Sequence, residues 1–285
     1  MNETTRVRRC RACVVSLALS AFAGLCLAQA NGPIGEVKGA AATHDANSAR
    51  KVIDGARVVL PTAATGGAIF VGRYDQIPGT RARVPVVVFL HGSSGLGLAA
   101  IEEWQRWLAS LGIASLAPDS FALPDRITYT SPINVDVYER IHALRASEIE
   151  LALAALAAAP WADGSRMVLA GTSEGATAVA RHGSAAFSGR IIFAWSCESN
   201  YFVKEPATAV TAGRPVLNVI SVVDPFFSPA NPWLGNPAAK GHCGEALKAN
   251  KEAVIVLLEQ APHTLINLPA ARGMTEAFLR RVLQL

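Results

Sequence analysis

The sequence predicts an α/β fold in which helices cover both faces of a mostly parallel central sheet. Apolar runs rich in β-branched residues alternate with helical stretches of about ten or more residues, a pattern typical of βαβ units. The run "VPVVVFLHG" at 84–92 is continuously apolar and ends at glycine, as expected of a strand buried on both faces. The chain has 285 residues, 51% of them hydrophobic, which suits one domain with a sizeable core.

The strands are predicted from apolar runs that are bounded by turn-forming residues. In chain order they cover 56–61, 67–74, 84–92, 113–120, 166–171, 190–196, 214–223 and 252–259. The first two are predicted to form an antiparallel pair at the edge of the sheet. Glycine and proline close to the ends of several runs support these limits.

The helices are predicted from apolar residues at helical spacing and from helix-ending residues. They cover about 98–111, a long stretch after Pro132 to about 159, 174–183 and about 270–283. In the first of these, Ile101, Trp104 and Leu108 fall on one face. Pro160 ends the long helix, because proline cannot continue a helical hydrogen-bond pattern.

Residues 1–30 are predicted to be a secretory signal peptide. A basic start precedes an apolar stretch at 13–28, and Ala28 and Ala30 are the small residues that a cleavage site requires. The alternative is an uncleaved membrane anchor, which the length disfavours because a spanning helix needs roughly 20 apolar residues. We therefore expect cleavage after Ala30 and export to the periplasm or the extracellular space.

The charge of the mature chain disfavours some classes of partner. The formal net charge is +4, but residues 1–30 hold four arginines and one glutamate, a net +3, which leaves about +1 after cleavage. No basic stripe indicates a nucleic-acid partner, and no stable membrane partner is expected. Residues 31–50 are small, polar and aperiodic, so they are predicted to be a flexible lead-in to a single domain at 51–285.

Two of the five cysteines remain after cleavage, Cys197 and Cys243. In an exported chain a pair of cysteines predicts one disulfide bond. The alternative is two unrelated buried thiols. A bridge would close a loop of about 45 residues, worth on the order of 4 kcal/mol in the chain-entropy model.

Residues 171–175 read Gly-Thr-Ser-Glu-Gly, a G-x-S-x-G pentapeptide between a predicted strand and a predicted helix. A nucleophilic serine needs this context, because the sharp turn exposes Ser173 and its neighbours must be small to avoid clashes. The helix N-terminus that follows directs N–H groups towards a developing oxyanion. The pentapeptide alone is weak evidence, since chance supplies it in about one chain in ten of this length. The alternative is an ordinary strand-to-helix turn.

A serine nucleophile needs a base, and the base needs an orienting acid. Asp224 is the only aspartate after Ser173, and it comes at the end of a predicted strand. His263 follows the last predicted strand in a short loop, so the three residues are predicted to meet at one edge of the sheet. Glu198 is the alternative acid and His242 the alternative base. Asp224 could otherwise be a simple turn residue, and His263 could cap the last helix.

Two backbone N–H groups are predicted to bind the oxyanion of the intermediate. One belongs to Glu174, the residue after the nucleophile. The other comes from the loop 91–95, His-Gly-Ser-Ser-Gly, with Ser93 as the donor and Ser94 as the alternative. His91 precedes a tight turn, and we expect it to hold the loop rather than to act as a base.

Aromatic residues near the predicted strand ends are candidates to line an apolar acyl or alcohol pocket. They are Trp195, Tyr201, Phe226, Phe227 and Trp233. The alternative for each is ordinary packing in the core or in a loop. The sequence shows no long apolar insertion of the kind that forms a lipase lid.

The motifs "VVVFLHGSSGL", "LAPDSF", "RMVLAGTSEGA", "VVDPFF" and "APHTL", in this order and spacing, resemble the α/β-hydrolase superfamily, and most of all its dienelactone hydrolase-like branch. The resemblance covers about 55–285. It implies an eight-stranded type of sheet, a Ser173–Asp224–His263 triad acting on small-molecule esters or lactones, and no cofactor or metal. One departure matters: dienelactone hydrolases use a cysteine nucleophile, so a general carboxylic-ester substrate is expected here. A peptidase, an acyltransferase and a non-catalytic binding protein are the alternatives.

Overall fold

The computed structural model describes residues 34–206, 208–210 and 212–285. The predicted signal peptide at 1–30 and its cleavage after Ala30 lie outside the described residues. No helix within the described part of the chain is long and apolar enough to cross a membrane.

The described residues contain ten strands, and eight of them form a central sheet. In chain order the strands are β1 (Val37–Lys38), β2 (Arg57–Leu60), β3 (Phe70–Arg73), β4 (Val84–Leu90), β5 (Ala114–Ala117), β6 (Thr128–Tyr129), β7 (Ala162–Thr172), β8 (Gly189–Phe193), β9 (Val216–Ser221) and β10 (Ala253–Leu258). The large sheet has the order β10-β9-β8-β7-β4-β5-β2-β3, and β1 pairs with β6 separately. Strand β2 is antiparallel to both of its neighbours, β3 and β5, and the other neighbouring strands of the large sheet are parallel to each other. The predicted fold class is confirmed, as is the antiparallel pair at the edge.

Helices cover both faces of this sheet. They are α1 (Ala46–Asp54), α2 (Thr62–Thr65), α3 (Ala99–Ser110), α4 (Val135–Ala158), α5 (Glu174–Arg181) and α6 (Pro269–Leu283). Val86, Val88 and Leu90 of β4 pack into the core formed with α4 and α5. Val87 and Phe89 pack into the opposite core, with α3 and α6. Strand β4 is apolar throughout because both of its faces are buried.

The segment predicted as a flexible lead-in at 31–50 is structured in its described part. Strand β1 pairs with β6, and α1 begins at Ala46 with Asp45 as its N-cap, whose carboxylate accepts the Ser48 N–H at 2.7 Å. Val52 of α1 is fully buried. The prediction differs from the structure because β1 is only two residues long and is stabilised by pairing with the distant strand β6, which the local sequence does not show.

Candidate active site

Ser173 lies on a sharp turn between β7 and α5, at the carboxyl edge of the sheet. Its backbone φ is 54° and its ψ is −121°, a conformation that residues with side chains rarely adopt. A Cβ atom on Gly171 would lie 2.8 Å from the Gly175 carbonyl carbon, and one on Gly175 would overlap the Leu90 carbonyl oxygen. The two glycines of the pentapeptide are therefore required by the close packing of α5 against β7 and β4.

Asp224 and His263 form a short polar contact beside this turn. Asp224 follows β9 and is fully buried, and its Oδ2 lies 2.7 Å from His263 Nδ1. Its other oxygen, Oδ1, accepts the N–H groups of Phe226 and Phe227 at 2.9 and 3.0 Å. The carboxylate is thus fixed in orientation, and it holds the histidine with Nε2 as the ring nitrogen available to accept a proton.

Ser173 and His263 line one cavity of about 110 Å³. No hydrogen bond joins their side chains in the described part of the chain. Tyr201, Phe226 and Phe227 line the cavity as the sequence suggests, together with Tyr129. The cavity wall is aromatic and apolar, with a few hydroxyl groups.

Two of the five candidate aromatic residues do not line this cavity. Trp195 is buried in the core, where its ring meets that of Phe227 at 4.8 Å between centroids. The Trp233 ring packs edge-on against the Tyr201 ring, with 5.7 Å between their centroids. Proximity to a strand end in the sequence does not specify on which side of the strand a ring packs.

The loop after β4 runs alongside Ser173. Gly95 N–H donates to the Gly92 carbonyl at 3.1 Å, which closes a tight turn with Ser93 and Ser94 at its tip. Both serines line the cavity, so Ser94 stays the alternative to Ser93 as the predicted oxyanion donor. A Cβ atom on Gly92 would lie 3.2 Å from Ser173 Cβ, so this loop approaches the serine closely. Glu174 is the first residue of α5, where a backbone N–H has no acceptor within the helix.

The alternative acid and base lie elsewhere. The Glu198 carboxylate accepts the N–H groups of Lys240 and Gly241, both at 2.8 Å. His242 Nδ1 accepts the Gly244 N–H at 3.0 Å. Neither side chain lines the cavity that holds Ser173.

His91 supports the loop from below. It is fully buried, and its Nε2 accepts the Ser120 N–H at 3.2 Å. Burial, and then the charge of Arg145, holds the pKa of His91 well below its usual value. The ring is therefore neutral, with its proton on Nδ1, which lies 2.6 Å from the Gly92 carbonyl oxygen.

Solved structures share this architecture, whereas no family model and no curated protein matches the sequence. A protein from Klebsiella pneumoniae assigned as a dienelactone hydrolase has 15% identity and a TM-score of 0.53, with 81% of this chain and 99% of that chain covered. A cold-adapted esterase from an Arctic intertidal metagenomic library has 14% identity and a TM-score of 0.52, with coverages of 80% and 95%. The chain has the α/β-hydrolase fold. A Thermus thermophilus protein at 20% identity and a TM-score of 0.51 is similar over 80% of this chain.

Behind the turn of this α/β-hydrolase fold lies a group of buried charges: Arg126, Arg145, Glu148 and Glu174, named the charge cluster here. Arg126 Nη2 donates to Glu174 Oε1 at 2.6 Å. Arg145 Nη1 lies 2.8 Å from Glu148 Oε2, and its Nε lies 3.6 Å from Glu174 Oε1. None of the four is more than 5% exposed. Two positive and two negative charges balance, which makes their burial tolerable.

Neither the charge cluster nor Tyr129 is predicted by the sequence. The Tyr129 hydroxyl donates to Glu174 Oε2 at 2.9 Å, while its ring lines the cavity. Burial, and then the charge of Glu174, raises the pKa of Tyr129 well above its usual value, so the hydroxyl remains a donor. The only signal in the sequence is the spacing of Arg145 and Glu148, three residues apart on one predicted helix.

The structure contains a disulfide bond between Cys197 and Cys243. Both cysteines are buried, in the loops that follow β8 and β9. Within residues 34–206, 208–210 and 212–285, no group of three or more histidine, cysteine, aspartate or glutamate side chains is arranged to hold a metal ion.

Proposed function

We propose that this protein is a serine hydrolase that cleaves carboxylic esters or lactones with Ser173, His263 and Asp224, without a cofactor. One observation carries the proposal: a buried aspartate lies 2.7 Å from a histidine that shares a cavity with a serine in a strained backbone conformation. That combination is what a nucleophile, a base and an orienting acid require. The fold shared with solved esterases is consistent with it.

In the proposed mechanism, His263 Nε2 takes the proton from Ser173 Oγ as the oxygen attacks the ester carbonyl. Asp224 stabilises the imidazolium that forms. The N–H groups of Ser93 and Glu174 bind the oxyanion, and the alcohol leaves with the proton from His263. Water, deprotonated by the same histidine, then cleaves the acyl-enzyme and restores the serine hydroxyl.

The dimensions of the cavity indicate small substrates. A cavity of about 150 Å³ lined by apolar side chains can hold benzene, and the volume here is about 110 Å³. The cavity therefore suits a short acyl chain, and its aromatic wall favours an apolar group. We propose that the protein is exported after cleavage near Ala30, since a buried disulfide bond is typical of exported proteins.

The test uses the chain from residue 31 onwards and a panel of p-nitrophenyl esters. We expect turnover by the wild type and loss of more than about 10³-fold in Ser173→Ala. A fluorophosphonate should label Ser173, as located by mass spectrometry. Absence of both turnover and labelling would refute the hydrolase proposal. Faster cleavage of amides than of matched esters would indicate a peptidase. Efficient transfer of the acyl group to an alcohol acceptor would indicate an acyltransferase.

A further inference from the structure

We propose that the charge cluster is a positioning device for the oxyanion hole. In this proposal Glu174 and its arginine partners fix the start of α5, which carries one N–H donor, relative to the loop after β4, which carries the other. The inference rests on the proposed function, because it assigns a role to groups that do not touch substrate.

The helix side of the device is Glu174 itself. Its backbone N–H is the proposed donor. Its own carboxylate accepts hydrogen bonds from Arg126 at 2.6 Å and Tyr129 at 2.9 Å, and forms an ion pair with Arg145, whose Nε lies 3.6 Å away. The side chain is fully buried, so rotation would leave charges unpaired in the interior. The carboxylate therefore fixes the backbone of the residue that carries the donor.

The loop side is held by Arg145. Its Nη2 donates to the His91 carbonyl at 3.0 Å, and its Nη1 lies 3.3 Å from His91 Nε2. His91 Nδ1 in turn donates to the carbonyl of Gly92, the residue that precedes Ser93. One guanidinium thus connects the Glu174 carboxylate to the base of the loop that carries the second donor.

Arg126 holds the far end of the same loop. Its Nε donates to Ser120 Oγ at 2.7 Å, and its guanidinium stacks on the Phe121 ring at 4.6 Å. The Phe121 ring covers Gly95, where a Cβ atom would lie 3.1 Å from it. Glu174 is therefore linked through Arg145 to the beginning of the loop, at His91, and through Arg126 and the Phe121 ring to its end, at Gly95.

The decisive variant is Glu174→Gln, which keeps the size of the side chain and the backbone N–H but removes the charge. The matched control is Arg181→Gln at the opposite end of α5, which breaks the ion pair of Arg181 with Glu139, 2.7 Å long. Each variant is assayed for kcat and KM on a p-nitrophenyl ester, for the affinity of a boronic acid that forms a tetrahedral adduct with Ser173, and for thermal stability.

We expect Glu174→Gln to lower kcat by about 10- to 100-fold with KM within about threefold, because displacement of a donor by about 1 Å costs up to about 100-fold. The affinity of the boronic acid should fall by a similar factor, since it occupies the same oxyanion site. Arg181→Gln should leave both quantities within about threefold of the wild type.

A second variant, Tyr129→Phe, removes only one contact to Glu174 and covers the case in which Glu174→Gln does not fold. It should lower kcat and boronic acid affinity in parallel, by about 3- to 10-fold. The proposal is overturned if the folded variants lose stability but keep wild-type kcat and inhibitor affinity. Failure of the proposed function is a separate result, seen as absence of turnover and labelling in the wild type.

Discussion

Replacement of Asp224 by asparagine probes the orientation of His263 directly. In the wild type, Asp224 Oδ1 accepts two backbone N–H groups, from Phe226 and Phe227, while Oδ2 accepts from His263 Nδ1. The two N–H donors can be satisfied only by the oxygen of an asparagine amide, which directs the NH₂ group at His263. Nδ1 must then act as an acceptor, so the ring proton moves to Nε2. In the wild type, Nε2 carries the free lone pair that would accept the serine proton.

This inverted tautomer cannot take the proton of Ser173. The wrong tautomer of a catalytic histidine lowers kcat by about 10⁴-fold, which corresponds to about 5.4 kcal/mol. The assay is the initial rate of p-nitrophenyl ester hydrolysis at neutral pH, with circular dichroism to confirm folding. Glu198→Gln is the control, because Glu198 also accepts two backbone N–H groups, one on each carboxylate oxygen, but forms no hydrogen bond with a histidine in the described structure. The kcat of this variant should stay within about threefold of the wild type. A kcat of Asp224→Asn within about tenfold of the wild type would refute the assigned role of the pair.

Four further predictions concern stability and specificity. Cys197→Ser combined with Cys243→Ser should lower the free energy of unfolding by up to about 4 kcal/mol in urea titrations, because the bridge closes a loop between residues 46 apart. Burial lowers the pKa of His142, so the unfolded chain binds more protons below about pH 6.5 and the Tm should fall as the pH drops, less steeply in His142→Gln. Gly175→Ala should prevent accumulation of soluble protein, measured by expression yield, since the added methyl group would overlap the carbonyl of a β4 residue. Phe227→Ala should enlarge the cavity and raise kcat/KM for longer p-nitrophenyl esters relative to the acetate.

The central sheet was predictable because a strand that is buried on both faces requires a continuous run of apolar residues. A strand such as β4, covered by helices on each side, must be apolar at every position, and that pattern is visible without any structure. The ends of strands were less well determined: β7 begins at Ala162, four residues before the predicted start, in a polar stretch without alternation.

Within the candidate site, the residues that the sequence predicts are those that directly follow a predicted strand. Ser173, Asp224 and His263 each follow a strand that runs in the same direction, so position in the sequence implies a shared edge. Their catalytic roles remain predictions. The sequence does not indicate that Arg126 is buried in an ion pair, because its partner Glu174 is 48 residues away and an arginine in a loop is ordinarily exposed.

The N-terminal segment before α1 sets a limit on how far the chain can be shortened. Gly35 N–H donates to the Pro132 carbonyl at 2.6 Å, and the Glu36 carbonyl accepts the Thr130 N–H at 2.9 Å. Tyr129 and Ser131, the neighbours of Thr130, line the cavity. A protein trimmed to residue 51 would retain every strand of the large sheet but lose the outer support of one cavity wall. The segment that looks most dispensable in the sequence thus supports the wall of the cavity that Ser173 lines, and trimming beyond Gly35 should weaken that support.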